Sequence, residues 1–252
     1  MINGFYEDLG RLFRSRRFLF LNYGYSPNGS RPFRWVRPED RPYRYHLALA
    51  RQTLAGINLR GKSVLEVGCG RGGNCYYMAR YAHPREIFGV DVNEANVALC
   101  RRLHGRLGAL FVRGDAQSLP FASASFDLVL SVESSHCYPR LDDFLAEAGR
   151  VLKPGGILAY SDFWRLPIFP WDWKQREEQV RSAGLELLSE EDLTEGVFEA
   201  LKHKDGLSGL LEGLRTRRNS PLLRRILEAN EAMRLALASH LCRYRILRLR
   251  QN

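Results

Sequence analysis

Glycines and carboxylates follow the ends of three apolar runs in this sequence. Glu66 ends the first run and precedes glycines at positions 68, 70, 72 and 73, while Asp91 and Asp115 stand at the ends of the next two. Glycine allows positive φ angles and lets a backbone approach a ligand closely. A loop of this kind between a parallel strand and a helix forms a nucleotide-sized site at the carboxyl edge of the sheet. The pattern therefore predicts a ligand that contains adenosine.

The spacing of the glycines does not by itself identify the ligand. Gly68, Gly70 and Gly73 fit the dinucleotide pattern G-x-G-x-x-G, and Gly72 in place of Gly73 gives G-x-G-x-G. Glu66 separates the two possibilities, because a carboxylate is unfavourable beside the phosphates that a dinucleotide places at a helix N-terminus. S-adenosylmethionine carries an ammonium group and no phosphate, which favours it as the ligand.

Two further acids bear on the same question. Asp91 can accept hydrogen bonds from both ribose hydroxyls, which suits a nicotinamide dinucleotide and S-adenosylmethionine equally. Asp115 follows the third apolar run and can accept a hydrogen bond from the adenine amine, a contact that a dehydrogenase does not usually need. Each acid alone could be a helix cap or a turn residue. Three acids at successive strand ends beside one glycine loop favour an S-adenosylmethionine site.

Apolar runs alternate with helical patterns between residues 62 and 162, which predicts a parallel sheet covered by helices. Strands are predicted over 63–67, 86–91, 109–113, 126–131 and 156–162, and helices over 73–81, 94–107 and 141–152. Two more strands are predicted over 185–188 and 243–249, and alternating basic and apolar residues indicate an edge strand for the latter. The predicted fold is α/β, with a Rossmann-like, doubly wound, mostly parallel sheet of seven strands.

Helical patterns flank this sheet in the sequence. Residues 2–20 and 43–58 are typical of helices, and two or three helices are predicted over about 192–240, before the last strand. We therefore expect an N-terminal helical lid or cap over residues 1–60 and a cofactor-binding core over 61–165. The last part, residues 166–252, is expected to complete the sheet and to carry a helical substrate cap at about 192–240.

An ordered set of motifs identifies a family resemblance over residues 62–162. The motifs are VLEVGCGRG at 64–72, GVD at 89–91, GDA at 114–116 with LPF at 119–121, SFDLV at 125–129 and LKPGG at 152–156. Together they resemble the class I S-adenosylmethionine-dependent methyltransferases. The segment VESSHCYP at 132–139 is similar to bacterial small-molecule O-methyltransferases that act on phthiotriol-type lipids and polyketides, and more distantly to the glycoside-modifying rebeccamycin type.

The resemblance implies roles for individual residues. The methionine end of the cofactor would be lined by Glu66, Gly68, Gly70 and Gly72. The ribose would be held by Asp91, and the adenine by Asp115 with Ala116. The sequence NYGY at 22–25 resembles the lid of this group, which implies that Tyr23 and Tyr25 close over the sulfonium end. Residues 165–240 match no part of the family pattern, and we expect substrate identity to depend on them.

Methyl transfer to a hydroxyl needs a group that removes a proton while the nucleophile is held in line. His136 follows the fourth predicted strand on the substrate side, and histidine titrates near neutral pH, so we predict that it is the general base. Asp162 is its expected partner, because a carboxylate can fix an imidazole tautomer and stabilise its protonated form. Glu133 is a third candidate, as base or to orient the substrate. The other histidines carry no partner pattern, and no set of acids suggests a metal site.

Several functions remain open on the sequence alone. O-methylation of a hydroxyl on a polyketide-, lipid- or glycoside-like secondary metabolite is the leading hypothesis. C-methylation of a prenyl substrate is the main alternative, because aromatic faces can stabilise a carbocation and basic clusters can hold a diphosphate. A nucleic-acid methyltransferase and a cofactor-binding scaffold without catalysis are weaker alternatives. The many aromatic residues outside the core pattern predict a large, apolar small-molecule substrate.

The composition limits which binding partners and which cellular compartment are expected for the protein. The net charge of +10 comes mostly from arginines, which cluster at 11–17 and at 243–250. These clusters could meet an acidic carrier protein, a membrane surface or an anionic substrate, but solvated faces are the favoured interpretation, and no nucleic-acid partner is expected. A homo-oligomer remains possible. The five scattered cysteines argue against disulfides and zinc, and no apolar run is long enough to cross a bilayer, so we expect a cytoplasmic protein.

Overall fold

The computed structural model describes residues 19–27, 33–165, 173–203 and 221–252. Their seven strands are β1 (Ser63–Val67), β2 (Glu86–Asp91), β3 (Ala109–Arg113), β4 (Phe126–Val132), β5 (Leu152–Arg165), β6 (Leu185–Asp192) and β7 (Cys242–Gln251). The strands form one sheet in the order β3-β2-β1-β4-β5-β7-β6. All neighbours from β3 to β5 are parallel, and β7 runs antiparallel to both β5 and β6. The predicted mostly parallel, seven-stranded α/β fold is confirmed.

The described helices connect and cover these strands. They are α1 (Arg44–Thr53), α2 (Gly73–Tyr77), α3 (Glu94–His104), α4 (Leu141–Val151), α5 (Trp173–Ser182), α6 (Thr194–Lys202) and α7 (Pro221–Ala238). A π-helical turn, Met78–Ala82, extends α2, and short 3-10 helices lie at Pro38–Tyr43, Gly105–Leu107 and Ser135–Cys137. Helix α3 begins where the Asn93 side chain accepts hydrogen bonds from the first backbone amides, which is the usual chemistry of an N-cap.

The sheet is buried on both faces, which explains why its central strands are continuous apolar runs. All five residues of β1 are buried. Val64 packs in the core on one face with Leu130, and Leu65 packs on the other face with Val129 and Phe144. The chain leaves the β3 edge and returns to place β4 beside β1, so the direction of winding reverses between β1 and β4. Such a reversal opens a crevice at the carboxyl ends of the two strands.

The last strand corrects one prediction. Strand β7 is not at an edge, because it lies between β5 and β6, and β6 is the edge strand. Its arginines alternate because they pair with acids on β6: Arg245 Nη1 lies 2.6 Å from Glu190 Oε1, and Arg250 Nη2 lies 2.6 Å from Glu186 Oε2. Arg248 also pairs with an acid on β6, Glu191, at 3.5 Å, and it donates to the carbonyl oxygens of residues 52 and 53 at the end of α1. The alternating arginines of β7 are therefore explained by their ion pairs and hydrogen bonds with other parts of this chain.

The segments flanking the core are described in part. The N-terminal helix predicted over residues 2–20 lies almost wholly outside the described residues, as does the arginine cluster at 11–17. Residues 19–25 have no helical structure and pack on the glycine-rich loop; we call them the roof segment. Helix α1 corresponds to the helix predicted over 43–58, and α6 and α7 lie between β6 and β7 where helices are predicted. The division into lid, core and substrate cap remains a prediction.

Candidate active site

The glycine-rich loop leaves β1 at the crevice and needs glycine for two separate reasons. Gly68 and Gly70 have φ angles of 69° and 52°, in the left-handed region that favours glycine. A Cβ atom on Gly68 would also lie 2.5 Å from the Cβ atom of Ser134, and one on Gly70 would lie 3.1 Å from Leu21 Cδ1. The loop is therefore pressed between the residues that follow β4 and the roof segment.

Glu66 is buried beneath this loop and ties it to the following helix. Its carboxylate accepts hydrogen bonds from Asn74 Nδ2 at 2.8 Å and from the backbone amide of Cys75 at 2.9 Å. Burial raises the pKa of Glu66 to about 7, although both hydrogen bonds act in the opposite direction. Glu66 lines the cavity described below, and its predicted contact with the cofactor ammonium remains a prediction.

Asp91 ends β2 and holds the other side of the loop. One carboxylate oxygen accepts from the amide of Gly70 at 2.8 Å, and the other accepts from the amide of Asn93 at 2.9 Å and from Asn96 Nδ2 at 3.3 Å. Burial raises the pKa of Asp91 against these three hydrogen bonds. The carboxylate is thus fixed at the carboxyl edge of the sheet, beside the loop where a ribose is expected.

One cavity of about 790 Å³ joins most of the predicted site residues. Its first end lies over the carboxyl edge of β1, β2 and β3, and its second end lies between the residues after β4 and helices α6 and α7. The predicted residues that line it are Tyr23, Glu66, Gly68, Gly70, Asp91, Asp115, Ala116, Glu133 and His136. The loop after β3 contributes Asp115, whose side chain accepts from the amide of Gln117 at 2.9 Å.

Three predicted residues lie outside the lining of this cavity. Gly72 packs against His104, whose Cδ2 atom would lie 2.7 Å from a Cβ atom at that position. The ring of Tyr25 lies against Gly196 of α6, and its amide donates to the carbonyl of Tyr45 at 2.9 Å. Asp162 is buried directly behind His136. Tyr25 therefore anchors the roof segment, and its predicted contact with the cofactor remains a prediction.

His136 and Asp162 form the acid–base pair of the cavity. His136 Nδ1 lies 2.9 Å from Asp162 Oδ1, and the backbone amide of His136 donates to Asp162 Oδ2 at 3.2 Å. Ser135 Oγ donates to the same Oδ2 atom at 2.6 Å and lies 2.5 Å from the hydroxyl of Tyr160. Asp162 is 1% exposed and His136 is 17% exposed, so only the histidine reaches the cavity. The ring of Phe163 packs on it with centroids 4.4 Å apart.

This pairing changes the expected titration of His136. Burial lowers the pKa of His136, but the charge and hydrogen bond of Asp162 outweigh burial and raise that pKa well above its ordinary value. Burial acts to raise the pKa of Asp162, yet the charge and hydrogen bond of His136 hold it below its ordinary value. The resting pair at neutral pH is therefore an imidazolium beside a carboxylate. The prediction that His136 titrates near neutral pH is corrected accordingly.

Two histidines without a predicted role also line the cavity. His46 of α1 has Nδ1 2.9 Å from Asn22 Oδ1 and stacks on Phe20, with centroids 5.4 Å apart. His203 lines the second end and stacks on Tyr45, with centroids 4.8 Å apart. Both contacts join residues that are distant in sequence, so no local pattern could have indicated them.

The described residues contain neither a cluster that could bind a metal ion nor a helix that could cross a membrane. Within residues 19–27, 33–165, 173–203 and 221–252, no three His, Cys, Asp or Glu side chains gather in a way that could hold a metal ion. None of the helices in this part of the chain has both the length and the apolar character that a membrane crossing needs.

Comparison with known proteins places this geometry in a family. The family described as "Methyltransferase domain" matches residues 65–160. The chain is 39% identical, over 82% of its own length and 74% of the relative's, to a fatty-acid O-methyltransferase of Mycolicibacterium smegmatis. It is 46% identical to a phthiotriol/phenolphthiotriol dimycocerosates methyltransferase of Mycobacterium leprae, over 57% of this chain and 53% of that protein. The chain thus spans about half the length of this last relative.

A solved structure shares this fold. Geranyl diphosphate C-methyltransferase from Streptomyces coelicolor A3(2), solved with Mg²⁺, geranyl diphosphate and S-adenosyl-L-homocysteine, superposes with a TM-score of 0.67. The alignment covers 98% of each chain at 17% identity, which shows a shared fold. The cofactor of the family is S-adenosylmethionine, and the glycine loop with Glu66 and Asp91 fits it. The chain belongs to the S-adenosylmethionine-dependent methyltransferases.

Proposed function

We propose that this protein methylates a hydroxyl oxygen on a polyketide-, lipid- or glycoside-like small molecule and that His136 is the general base. One observation carries the proposal: His136, which is hydrogen-bonded to the buried Asp162 behind it, lines the same cavity as the glycine loop and Asp91. When bound, S-adenosylmethionine supplies the activated methyl group. A base held at the other end of that cavity is what a neutral hydroxyl acceptor requires.

The residues of the first end of the cavity suit the parts of the cofactor. Asp91 would accept from the ribose hydroxyls, and Asp115 with Ala116 would lie along the adenine. Glu66 and the loop at Gly68 would face the methionine end, where a carboxylate favours the ammonium group. The roof segment lies over this loop, so it would exclude water from the sulfonium end.

The second end of the cavity supports a large and apolar acceptor. Its wall includes Ala200 and Leu201 of α6, Ile226 and Ala229 of α7, and Phe163 of β5. Burying such a wall against an apolar chain is favourable at about 25 cal/mol per Å² of apolar surface. The two mycobacterial relatives are named for dimycocerosates and for a fatty acid, and both names agree with this class of acceptor.

The proton of the hydroxyl would move to His136. In that step the O–H bond would break, the oxygen would bond to the methyl carbon as the bond from that carbon to the cofactor sulfur breaks and leaves a thioether, and the imidazole would gain the proton. Asp162 holds Nδ1, so Nε2 is the nitrogen that would receive the proton. Only the deprotonated form of His136 can accept the proton. The raised pKa makes this form scarce near neutral pH but also makes it a stronger base. The rate should therefore rise as the pH increases above neutrality.

Replacement of the histidine tests the proposal. We expect His136→Ala to reduce turnover of a hydroxylated apolar acceptor by about 100-fold or more, because general-base catalysis is lost. Affinity for S-adenosylhomocysteine should stay within about twofold, since Asp91 and the loop are untouched. The measurements are transfer of labelled methyl groups and calorimetry. His240→Asn is the matched control, because His240 is exposed in a turn with a φ of 57° that asparagine tolerates. Unchanged turnover in His136→Ala would remove the base assignment.

A carboxylate acceptor is a second candidate, because the resting His136 is protonated. An imidazolium could donate a hydrogen bond to a fatty carboxylate, which has no proton to lose, and one relative is named a fatty-acid O-methyltransferase. The pH dependence separates the two acceptors. Methylation of a hydroxyl should become faster as His136 deprotonates, whereas methylation of a carboxylate should become slower. A fatty acid and the fatty alcohol of equal chain length are the matched pair of substrates.

The prenyl alternative is tested in the same assay. Geranyl diphosphate and labelled S-adenosylmethionine would give a product with the label on carbon if the protein were a C-methyltransferase. We expect no incorporation from the diphosphate under conditions in which an apolar alcohol or acid is methylated. Incorporation into geranyl diphosphate alone would replace the proposed function with C-methylation.

A further inference from the structure

Glu133 combines an unusual backbone conformation with a partly buried carboxyl side chain. It follows β4 with a φ of 49°, a left-handed conformation that residues with a side chain rarely adopt. Of the four described non-glycine residues with positive φ, it is the one that lines the cavity. Its backbone amide donates to the carbonyl of Ser161 at 2.8 Å, so the neighbouring strand holds it in this conformation. A strained residue held in this way at a cavity points to a task for its side chain.

The carboxylate of Glu133 faces the roof segment. The backbone amide of Tyr23 donates to both oxygens, at 3.0 Å to Oε1 and 3.1 Å to Oε2. The hydroxyl of Tyr244, on β7, donates to Oε1 at 3.0 Å. The side chain therefore connects two segments that lie 110 and 111 residues away in the sequence. These contacts use the carboxylate as an acceptor for protein donors, which is the geometry of an anchor.

The roof segment that Glu133 holds covers the glycine-rich loop. Leu21 lies against Gly70, and the ring of Phe20 would be 2.5 Å from a Cβ atom on Gly73. The ring of Tyr23 packs edge-on against Phe163, with centroids 5.9 Å apart, and Phe163 is the ring that packs on His136. The roof segment thus spans the cavity from the loop to the proposed base.

We propose that Glu133 is a positioning residue that clasps the roof segment over the cofactor end of the site and so limits how fast the cofactor leaves. The inference rests on the proposed function, because it assumes that the loop holds S-adenosylmethionine. Glu133 acts through Tyr23 rather than on the acceptor. The loss of the clasp would open the segment at Tyr23 while Asn22, bonded to His46, and Tyr25, bonded to Tyr45, stay anchored.

The first test measures the segment itself in the protein without cofactor. Hydrogen exchange of the peptide that contains residues 19–25 should accelerate by about tenfold or more in Glu133→Ala, because the Tyr23 amide loses its hydrogen-bond acceptor. Glu133→Gln keeps one carbonyl oxygen for that amide and should give an intermediate rate. Exchange in β1 and β2 should not change, which separates local opening from general loss of stability.

The second test measures dissociation of S-adenosylhomocysteine by stopped flow. We expect the dissociation rate to rise about tenfold in Glu133→Ala and less in Glu133→Gln. Glu186→Ala is the matched control, because Glu186 is a half-exposed glutamate on β6 whose partner is the surface residue Arg250, so its loss leaves the bond to Tyr23 in place. If Glu133→Ala does not fold, Glu133→Gln must show both effects at reduced size for the inference to stand.

Two results would overturn the clasp. One is unchanged exchange of residues 19–25 in both Glu133 variants. The other is an unchanged dissociation rate of S-adenosylhomocysteine in both Glu133 variants. Both tests use no acceptor, so their outcome is separate from that of the proposed O-methylation. Failure of the wild-type protein to bind S-adenosylhomocysteine would instead reject the proposed function together with the clasp.

Discussion

The two ends of the cavity are built in different ways. At the cofactor end, Glu66 bonds to an amide nine residues away, and Asp91 bonds to an amide 21 residues away. At the acceptor end, Glu133 bonds to residues 110 and 111 positions away, and the wall comes from helices between the last two strands. The first end is a local structure fixed by one βα unit and its neighbour. The second exists only when the whole chain has folded around it.

This contrast indicates where change is tolerated. The glycine-rich loop, Glu66 and Asp91 must keep one arrangement, because the two carboxyl groups hold backbone amides of the loop and of the helix after it. The acceptor end consists of side chains brought together by packing, and these can vary in size while the sheet is maintained. Specificity in this protein is therefore expected to reside in α6, α7 and Phe163, while cofactor binding resides in β1 and β2.

The largest effect that would test this contrast is at Asp91. We expect Asp91→Ala to weaken S-adenosylmethionine binding by about tenfold or more, because two ribose hydroxyls lose a charged acceptor and the Gly70 amide loses its partner. Asp91→Asn is the comparison, since an amide oxygen can still accept from Gly70. Calorimetry of both variants gives the result, and an Asp91→Ala affinity equal to that of the wild type would refute the ribose role.

A smaller and more selective effect is expected at Ala229. Ala229→Phe adds a ring to the wall of α7, so the KM for a long-chain acceptor should rise about fivefold to tenfold, which corresponds to about 1–1.4 kcal/mol of lost contact. The affinity for S-adenosylhomocysteine should stay unchanged. Steady-state kinetics with acceptors of two chain lengths checks this. A matched loss of cofactor affinity would show that the two ends are not independent.

The last prediction concerns the pH dependence of the free energy of unfolding, which depends on Glu66, Glu133 and His136. Burial raises the pKa of Glu66 to about 7 and that of Glu133 to about 8, and Asp162 raises the pKa of His136. In the folded protein these groups hold protons that the unfolded chain has released, so the free energy of unfolding should fall as pH rises. For the two glutamates the window runs from the ordinary glutamate pKa up to about pH 8, and His136 extends the fall to higher pH.

The expected slope near neutrality is up to about 1.4 kcal/mol per pH unit for each of these groups, from linkage of proton binding to folding. Urea unfolding of the cofactor-free protein at pH 5, 6, 7 and 8 measures it. Glu133→Gln should reduce the slope, because one of the buried titrating groups is removed. Stability that rises over this range would show that Glu66 and Glu133 are charged in the folded protein, contrary to the effect of burial.

Sequence patterns predicted the cofactor end well, for a physical reason. Strands β1, β2 and β3 have the predicted bounds, because each is a short apolar run with a turn signal on both sides. The acids at their ends are gathered because parallel strands finish at one edge. Gly72 differs, since its neighbour is His104 on α3, and a spacing rule cannot show which helix packs on a loop.

Predictions that depended on distant partners were less complete. Strand β7 looked like an edge strand because its alternation was read without its neighbours, whereas Arg245 and Arg250 face acids on β6. The sequence predicts the pairing of His136 with Asp162, but the charge and hydrogen bond of Asp162 outweigh burial and raise the pKa of His136 away from neutrality. The anchor between Glu133 and Tyr23 uses the backbone amide of Tyr23. Almost every residue has such an amide, so the sequence could not indicate which one Glu133 would bind.

The position of β7 has a consequence for how the protein is made. A ribosome delivers β5 and β6 long before β7, yet the two pair only through β7. Until that last strand arrives, both expose unpaired backbone groups, and nascent chains in that state are prone to wrong pairings. Arg248 then fastens the finished strand to helix α1, 196 residues upstream of it at Gln52. Completion of the sheet is therefore a late, long-range event in biosynthesis.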